Sequence, residues 1–161
     1  MSKILSFDVS SVSTGWSFLF NGKLEEFGKI MPPPSFRLME KLYWFKHNVD
    51  VLLRVFWPDY VIVEETYLKN VTTLKVLMHF VTVLMLECYE SLDEEPVLIS
   101  PMTVRSHFKL KTKEDVFDYV SKKYKVKLKD YTFKTGNDIT DATLQGLYWY
   151  DILTEKGENN G

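Results

Sequence analysis

Apolar residues near the start of the chain concentrate in three short runs, which is typical of strands with a buried face. The runs span residues 3–9, 15–20 and 24–30. Asn21-Gly22 lies between the second and third runs, and both residues tolerate the positive φ that a two-residue hairpin turn requires. The pattern therefore predicts three strands at the start of the chain, the last two joined by a hairpin.

Helical spacing replaces this pattern after Pro32-Pro33-Pro34, which ends the third strand. Ser35 is expected to cap a helix over residues 36–56, and Trp57-Pro58-Asp59 is expected to end it. The apolar positions that recur with the helical period are Leu38, Leu42, Phe45, Val49, Leu52 and Leu53.

The second half of the chain alternates strands with helices. Residues 60–63 form a short, continuous apolar run, which indicates a central strand covered on both faces and paired in parallel. The further elements are a helix over 71–89, a strand over 97–99, a helix over 113–123 capped by Thr112, and a helix over 139–153 opened by Asn137 or Asp138. This order predicts an α/β fold: a mixed five-stranded sheet, three antiparallel strands and then parallel ones, with helices on both faces.

Composition fits one domain over residues 1–154, followed by a frayed tail over 155–161. Its 161 residues are 45% hydrophobic, which is enough for a sizeable core. The single cysteine, Cys88, excludes a disulfide framework within the chain and favours a reducing compartment. The start of the chain has no signal-peptide pattern, and the apolar run over 71–86 is short for a membrane span, so we expect a soluble cytoplasmic protein without membrane contact.

Charge is unevenly distributed along the chain. The formal net charge is −2, yet residues 105–134 contain ten Lys or Arg and four acids, a net charge of +6 that leaves −8 elsewhere. Such a concentration of positive charge can attract phosphates. A lysine-rich solvated face would give the same composition, so both interpretations stay open.

Acidic residues occur at three places that this topology brings together. Asp8 lies near the end of the first strand, Glu64 and Glu65 follow the buried run 60–63, and Asp138 and Asp141 lie three residues apart, on one face of the predicted first helical turn. The positive end of the helix dipole would offset part of their charge there. Buried, clustered carboxylates are costly unless a cation neutralises them, and oxygen ligands favour Mg²⁺ or Mn²⁺.

Three segments, in this order and at these separations, resemble the RuvC-type Holliday junction resolvases of the ribonuclease H-like superfamily. They are FDVSSVSTGWSF, VIVEETYLKN and NDITDATLQGL, and the resemblance extends from about residue 4 to residue 152. It implies a ribonuclease H-like fold, a homodimer, and a four-way or otherwise branched DNA as substrate.

The resemblance also assigns residues. The metal-binding acids fall on Asp8, Glu64, Asp138 and Asp141, with Glu64 preferred to its neighbour Glu65 because the family's acid directly follows the apolar strand. Lys113 matches a basic residue that would stabilise charge at the scissile phosphate. Further DNA contacts are assigned to Tyr67, Lys69, Arg105, Lys109 and Lys111. Tyr67 would engage bases at the opened junction, although an ordinary surface tyrosine is an equal alternative.

The implied chemistry is two-metal phosphodiester hydrolysis, which leaves 5′-phosphate and 3′-hydroxyl ends. Two Mg²⁺ ions per site would lie ~4 Å apart, with Asp8 bridging them, and Mn²⁺ is expected to substitute. Cutting two strands of a junction is simplest with two sites related by a two-fold axis. The helix over 71–89 is apolar on nearly every side and is the expected dimer interface, although burial within its own chain would also explain it.

Other functions remain compatible with the same acids. A ribonuclease H-like nuclease that acts on RNA–DNA hybrids or flaps would carry them too, whereas a non-catalytic binder of branched DNA would not need all four. An ATP-binding domain of the actin and sugar-kinase group also starts with an aspartate in a strand. Such proteins need two domains and a far longer chain than 161 residues.

Overall fold

The computed structural model describes residues 1–65 and 71–159, with side chains described as far as residue 157. The strands are β1 (Lys3–Asp8), β2 (Thr14–Phe20), β3 (Lys23–Ile30), β4 (Tyr60–Glu64) and β5 (Val97–Ile99). The helices are α1 (Leu38–Phe56), α2 (Val71–Leu92), α3 (Pro101–His107), α4 (Lys113–Lys123) and α5 (Phe133–Asn159). The sheet has the order β3-β2-β1-β4-β5.

The predicted fold class is confirmed. β1, β2 and β3 are antiparallel to one another, whereas β4 pairs with β1 and β5 pairs with β4 in parallel. The hairpin turn is confirmed as well, because Asn21 and Gly22 both have positive φ, 48° and 74°. β1 lies at the centre of the sheet, so the residue that ends it has neighbours on both sides.

Side chains alternate between two cores, one on each face of the sheet. Leu5 and Phe7 of β1 pack in the core under α1 and α2. Ile4 of the same strand belongs to the opposite core, with buried residues of α3, α4 and α5. Because the side-chain period of a strand is two, Ser6 and Asp8 lie on the same face as Ile4, towards α5.

Two glycines allow α5 to approach the sheet closely. A Cβ atom on Gly15 of β2 would lie 2.2 Å from the backbone carbon of Asp138 and 2.3 Å from its carbonyl oxygen. A Cβ atom on Gly146 of α5 would lie 2.6 Å from the Ser6 hydroxyl oxygen. The absence of side chains at these two positions sets the height of α5 above β1 and β2.

Both ends of the prediction for α5 need correction, and so does its dipole argument. The helix begins at Phe133, not near Ile139, so Asp138 and Asp141 lie beyond the first turn and the helix dipole has less effect on them. The chain enters the helix through Thr132, whose backbone N–H donates to the Thr135 hydroxyl at 2.9 Å. The helix also continues to Asn159, through most of the segment that was expected to fray.

The start of α1 and the presence of α3 also differ from the prediction. Arg37, not Ser35, is the N-cap of α1, where its backbone N–H donates to the Glu40 carboxylate at 2.7 Å. The sequence pattern missed α3, which is only seven residues long and starts with Ser100-Pro101, a common way to open a helix. Beyond these shifts, the structure places the strands within one residue of the predicted bounds.

α2 is longer than predicted, and its length corrects the prediction that this apolar segment is too short to span a membrane. It has 22 residues and, by length and composition alone, is apolar enough to cross a membrane. Here Phe80, Val81 and Leu84 are buried in the core beside α1, and the buried Glu87 forms an ion pair with Lys46 of α1. One face of α2 is thus occupied within the chain, so the helix is neither wholly buried nor wholly exposed.

Candidate active site

Two of the predicted acids lie side by side where β1 and β4 end. The parallel register pairs Phe7 with Val63, so Asp8 and Glu64, the next residue of each strand, are neighbours. Both side chains lie on the α5 face of the sheet, Asp8 with Ile4 and Glu64 with Ile62. This convergence follows from the parallel pairing of two strands that carry an acid at the same end.

α5 supplies the other two acids from above the sheet. Asp141 is only 5% exposed, and Lys113 Nζ at the start of α4 lies 2.9 Å from its Oδ2 atom. Asp138 lies over Gly15, where its Oδ2 atom accepts a hydrogen bond of 2.5 Å from the Ser13 hydroxyl. The structure therefore brings the four acids and Lys113 to one end of the sheet.

Three polar residues that the sequence analysis did not single out belong to the same cluster. Gln145 Nε2 donates to Glu64 Oε2 at 3.3 Å, Ser13 donates to Asp138, and Lys29 Nζ lies 3.4 Å from Asp138 Oδ1. Gln145 is four residues after Asp141, and this spacing on one helix face could have indicated it. Ser13 and Lys29 give no comparable signal because their partner is distant in the sequence.

Burial and mutual repulsion disfavour ionisation of Asp8, Glu64 and Asp141. Burial raises the pKa of Asp8 well above its usual value, the nearby Glu64 and Asp141 carboxylates raise it further, and Lys113 counteracts them. Burial also raises the pKa of Glu64, with Asp141 adding to it. For Asp141, the effect of burial exceeds the opposing attraction of Lys113 and Arg105, so its pKa is raised too.

Lys113 responds to the same charges in the opposite direction. Its burial lowers the pKa, but attraction to Asp141, Asp8 and Glu64 outweighs burial, so the net pKa is raised. Lys113 is therefore a protonated cation at neutral pH, and the 45% exposure of its side chain favours the same charged form. It supplies one positive charge beside an excess of negative charge.

The cluster fits a hard divalent cation by its donor set. All four acids offer carboxylate oxygen, the ligand that Mg²⁺ and Mn²⁺ prefer. The raised pKa values of Asp8, Glu64 and Asp141 show that negative charge is in excess there. Among the described residues, no three His, Cys, Asp or Glu side chains already surround one point as metal ligands do. Two of the acids are instead turned towards lysines, Asp138 to Lys29 and Asp141 to Lys113.

The structure separates Glu64 from its neighbour Glu65. Glu64 contacts Gln145 and interacts electrostatically with Asp141, whereas the backbone N–H of Glu65 extends the ladder to β5 by donating to the Ile99 carbonyl at 2.8 Å. The side chain of Glu65 is exposed. Glu64 is therefore the residue that faces the other acids.

The predicted DNA-contacting residues lie at different distances from the cluster. Arg105 of α3 lowers the pKa of both Glu64 and Asp141, so it lies within electrostatic reach of the acids. Lys109 and Lys111 are exposed on the connection between α3 and α4, on the approach to Lys113. Tyr67 and Lys69 lie outside the described residues, and their roles stay predictions.

The fold is that of the RuvC-type Holliday junction resolvases. A structure of Thermus thermophilus RuvC superposes with a TM-score of 0.76 at 18% identity, covering 94% of this chain and 96% of that one. T. thermophilus RuvC in complex with a Holliday junction substrate gives 0.74 at 16% identity, covering 95% and 96%. The yeast mitochondrial Holliday junction resolvase Ydc2 gives 0.67 at 14% identity, covering 92% and 78%.

Comparison by sequence gives no match, whereas comparison by structure does. No protein-family model matches the chain, and no curated protein matches it by sequence. The similarity therefore lies in the fold, over nearly the whole length of both chains for RuvC. The resemblance that the three motifs indicated is confirmed at the level of the fold.

Proposed function

We propose that this chain is a metal-dependent endonuclease that cuts branched DNA, with the Holliday junction as its principal substrate. The observation that carries the proposal is the convergence of Asp8, Glu64, Asp138 and Asp141 with Lys113 at one end of a RuvC-like sheet. Perturbed pKa values such as those of Asp8, Glu64 and Asp141 cluster at functional sites. A binder without catalytic activity would have no use for this arrangement.

The four acids would hold two Mg²⁺ ions, and Mn²⁺ would serve as well. When bound, the ions would supply Lewis acidity that activates the attacking water and stabilises the leaving 3′ oxygen, which gives 5′-phosphate and 3′-hydroxyl ends. Gln145 would hold the Glu64 carboxylate in place, and Ser13 would do so for Asp138. Lys113 would be positioned by Asp141 to stabilise negative charge on the scissile phosphate.

Branched DNA is the proposed substrate for two reasons. One of the structures with this fold is a RuvC bound to a Holliday junction substrate. In addition, Arg105, Lys109 and Lys111 precede Lys113 along α3 and the following connection, so positive charge leads from the surface to the acids. Such a gradient suits a polyanion whose scissile phosphate must reach the cluster.

A substrate panel tests this proposal. We expect Mg²⁺-dependent cleavage of a synthetic four-way junction that exceeds cleavage of a three-way fork, a flap and an RNA–DNA hybrid at equal concentration. Cleavage is measured on labelled strands in denaturing gels, with an EDTA series as the control. Preferential cleavage of the hybrid would instead support a ribonuclease H activity, and junction binding without any cleavage would support a non-catalytic binder.

We also propose that two copies of the chain associate through α2. The helix exposes Met78, Leu86 and Tyr89, which recur at helical spacing away from the buried Phe80 and Leu84. Exposed apolar residues in a row on one helix face are typical of association surfaces. A two-fold dimer would present two sites to the two strands of a junction.

A charge placed on that face should dissociate the dimer. Leu86 is 55% exposed, so Leu86→Glu is expected to leave the monomer folded and to shift sedimentation at micromolar concentration from dimer to monomer. Val55→Glu on α1, where the native residue is 68% exposed, is the matched control and should remain dimeric. A wild-type protein that sediments as a monomer would contradict the proposed interface.

A further inference from the structure

A row of three residues crosses the sheet beneath Asp138. Lys29 of β3 pairs with Gly15 of β2, and Gly15 pairs with Asp8 of β1. Residues that are directly paired across strands have side chains on the same face, here the face towards α5. Lys29 and Asp8 therefore lie on either side of Gly15, with the backbone of Asp138 directly above the glycine.

Lys29 uses this arrangement to reach Asp138 from the side opposite Asp8. Its Nζ atom lies 3.4 Å from Asp138 Oδ1, and its side chain is only 21% exposed. The other carboxylate oxygen, Oδ2, accepts the 2.5 Å hydrogen bond from Ser13. Both oxygens of Asp138 are thus engaged by groups other than the three remaining acids.

The acids of α5 share this condition. Lys113 holds Asp141 as Lys29 holds Asp138, so each of these two acids is paired with an ammonium group. A cation that binds Asp138 has to displace or approach the ammonium group of Lys29. The repulsion between a divalent ion and an ammonium group a few ångströms away opposes binding of the ion, and solvent and salt screen part of that repulsion.

We infer that the ammonium group of Lys29 competes with the metal ion for the Asp138 carboxylate. Lys29 is thus a positioning residue that stabilises the protein without metal and weakens its affinity for Mg²⁺. This inference rests on the proposed metal site. A purely structural role predicts the opposite for affinity, because loosening Asp138 would weaken metal binding. The sign of the change in affinity therefore separates the two roles.

The test measures Mg²⁺ binding without DNA, by titration calorimetry and by thermal unfolding. Lys29→Met removes the charge and keeps most of the length of the side chain, and Lys29→Gln removes the charge while retaining a hydrogen-bond donor. Lys29→Arg preserves the charge. Lys23→Met is the matched control, since Lys23 is exposed at the opposite end of the same strand, paired with Phe20.

We expect the two neutral variants to unfold at a lower temperature than the wild type in EDTA, because Asp138 loses its cation. We also expect them to bind Mg²⁺ with a dissociation constant about 3- to 10-fold lower, and therefore to gain more stability from a fixed Mg²⁺ concentration. Lys29→Arg and Lys23→Met should match the wild type within about twofold in affinity.

Two outcomes would overturn the inference in distinguishable ways. Unchanged or weaker Mg²⁺ binding by a folded neutral variant, with normal binding by the wild type, refutes the competitor role and leaves the proposed metal site intact. A wild-type protein that binds no Mg²⁺ refutes the metal site itself, and the role of Lys29 with it. If Lys29→Met fails to fold, Lys29→Gln provides the same comparison.

Discussion

Asp8→Asn is expected to abolish Mg²⁺-dependent cleavage of a four-way junction, by at least about 100-fold, while leaving binding of the junction nearly intact. Asp8 lies at the centre of the acid cluster, and the amide keeps its shape but removes the negative charge that would hold a metal ion. Cleavage is measured on labelled junctions at saturating Mg²⁺, and binding by gel shift in Ca²⁺ or EDTA.

Glu94→Gln is the control for this prediction. Glu94 is an exposed acid just before β5, at the end of the sheet opposite the cluster, so its amide should cut at the wild-type rate. A variant with Asn at position 8 that still cleaves the junction at a normal rate would remove Asp8 from the metal site. Loss of both binding and cleavage would point to a folding defect instead, which circular dichroism detects.

Asp8→Asn also has a pH-dependent effect on the stability of the protein without metal. The pKa of Asp8 is raised in the folded protein, so the aspartate imposes no ionisation cost below its unfolded pKa and an increasing cost as the pH rises through the folded value. Asp8→Asn removes this cost. In EDTA, the melting temperature of the variant should exceed that of the wild type at pH 7.5, and the difference should shrink towards pH 4.

Gly15→Ala is expected to destabilise the protein more than any other single methyl addition to a described glycine. The added carbon would lie 2.2 Å from the backbone carbon of Asp138, and backbone cannot move aside as the end of a flexible side chain can. We expect a loss of about 3 kcal/mol or more in the free energy of unfolding, measured by urea denaturation, or failure to fold.

Two alanine variants calibrate this expectation within α5. At Gly157 an added Cβ meets nothing within 4 Å, so Gly157→Ala should be neutral or slightly stabilising, as is usual for an exposed helix position. Gly146→Ala should be intermediate, because the nearest atoms belong to the side chains of Ser6 and Leu19, which can shift. A Gly15→Ala protein as stable as Gly157→Ala would contradict the close contact between α5 and β2.

The sequence predicts most of the sheet and the four acids of the site. The apolar run before Glu64 indicated a central parallel strand, and its pairing with β1 brings Glu64 beside Asp8, so this pair of acids needs only strand order. The rest depends on distances that no local pattern encodes. Ser13 and Lys29 meet Asp138 from more than a hundred positions away in the chain, and Gly15 makes their contact sterically possible.

The errors in the predicted helix starts have a common physical origin. Contacts with other residues override local propensity. Helix propensity disfavours Gly136, yet the glycine lies inside α5, where a side chain would meet Tyr131 Cβ at 2.9 Å. Close packing against Tyr131 thus requires a glycine at a helical position where propensity disfavours it. Ser35 is likewise a good cap in isolation, but Arg37 and Glu40 form the reciprocal contacts that open α1.

The position of α5 in the chain has a consequence for the order in which the four acids are synthesised. Asp138 and Asp141 are translated long after the strands that carry Asp8 and Glu64, so a nascent or C-terminally truncated chain lacking α5 holds only two of the four acids. Such a fragment would lack two of the four acids that are proposed to hold metal. The proposed nuclease activity would therefore require synthesis to have passed α5.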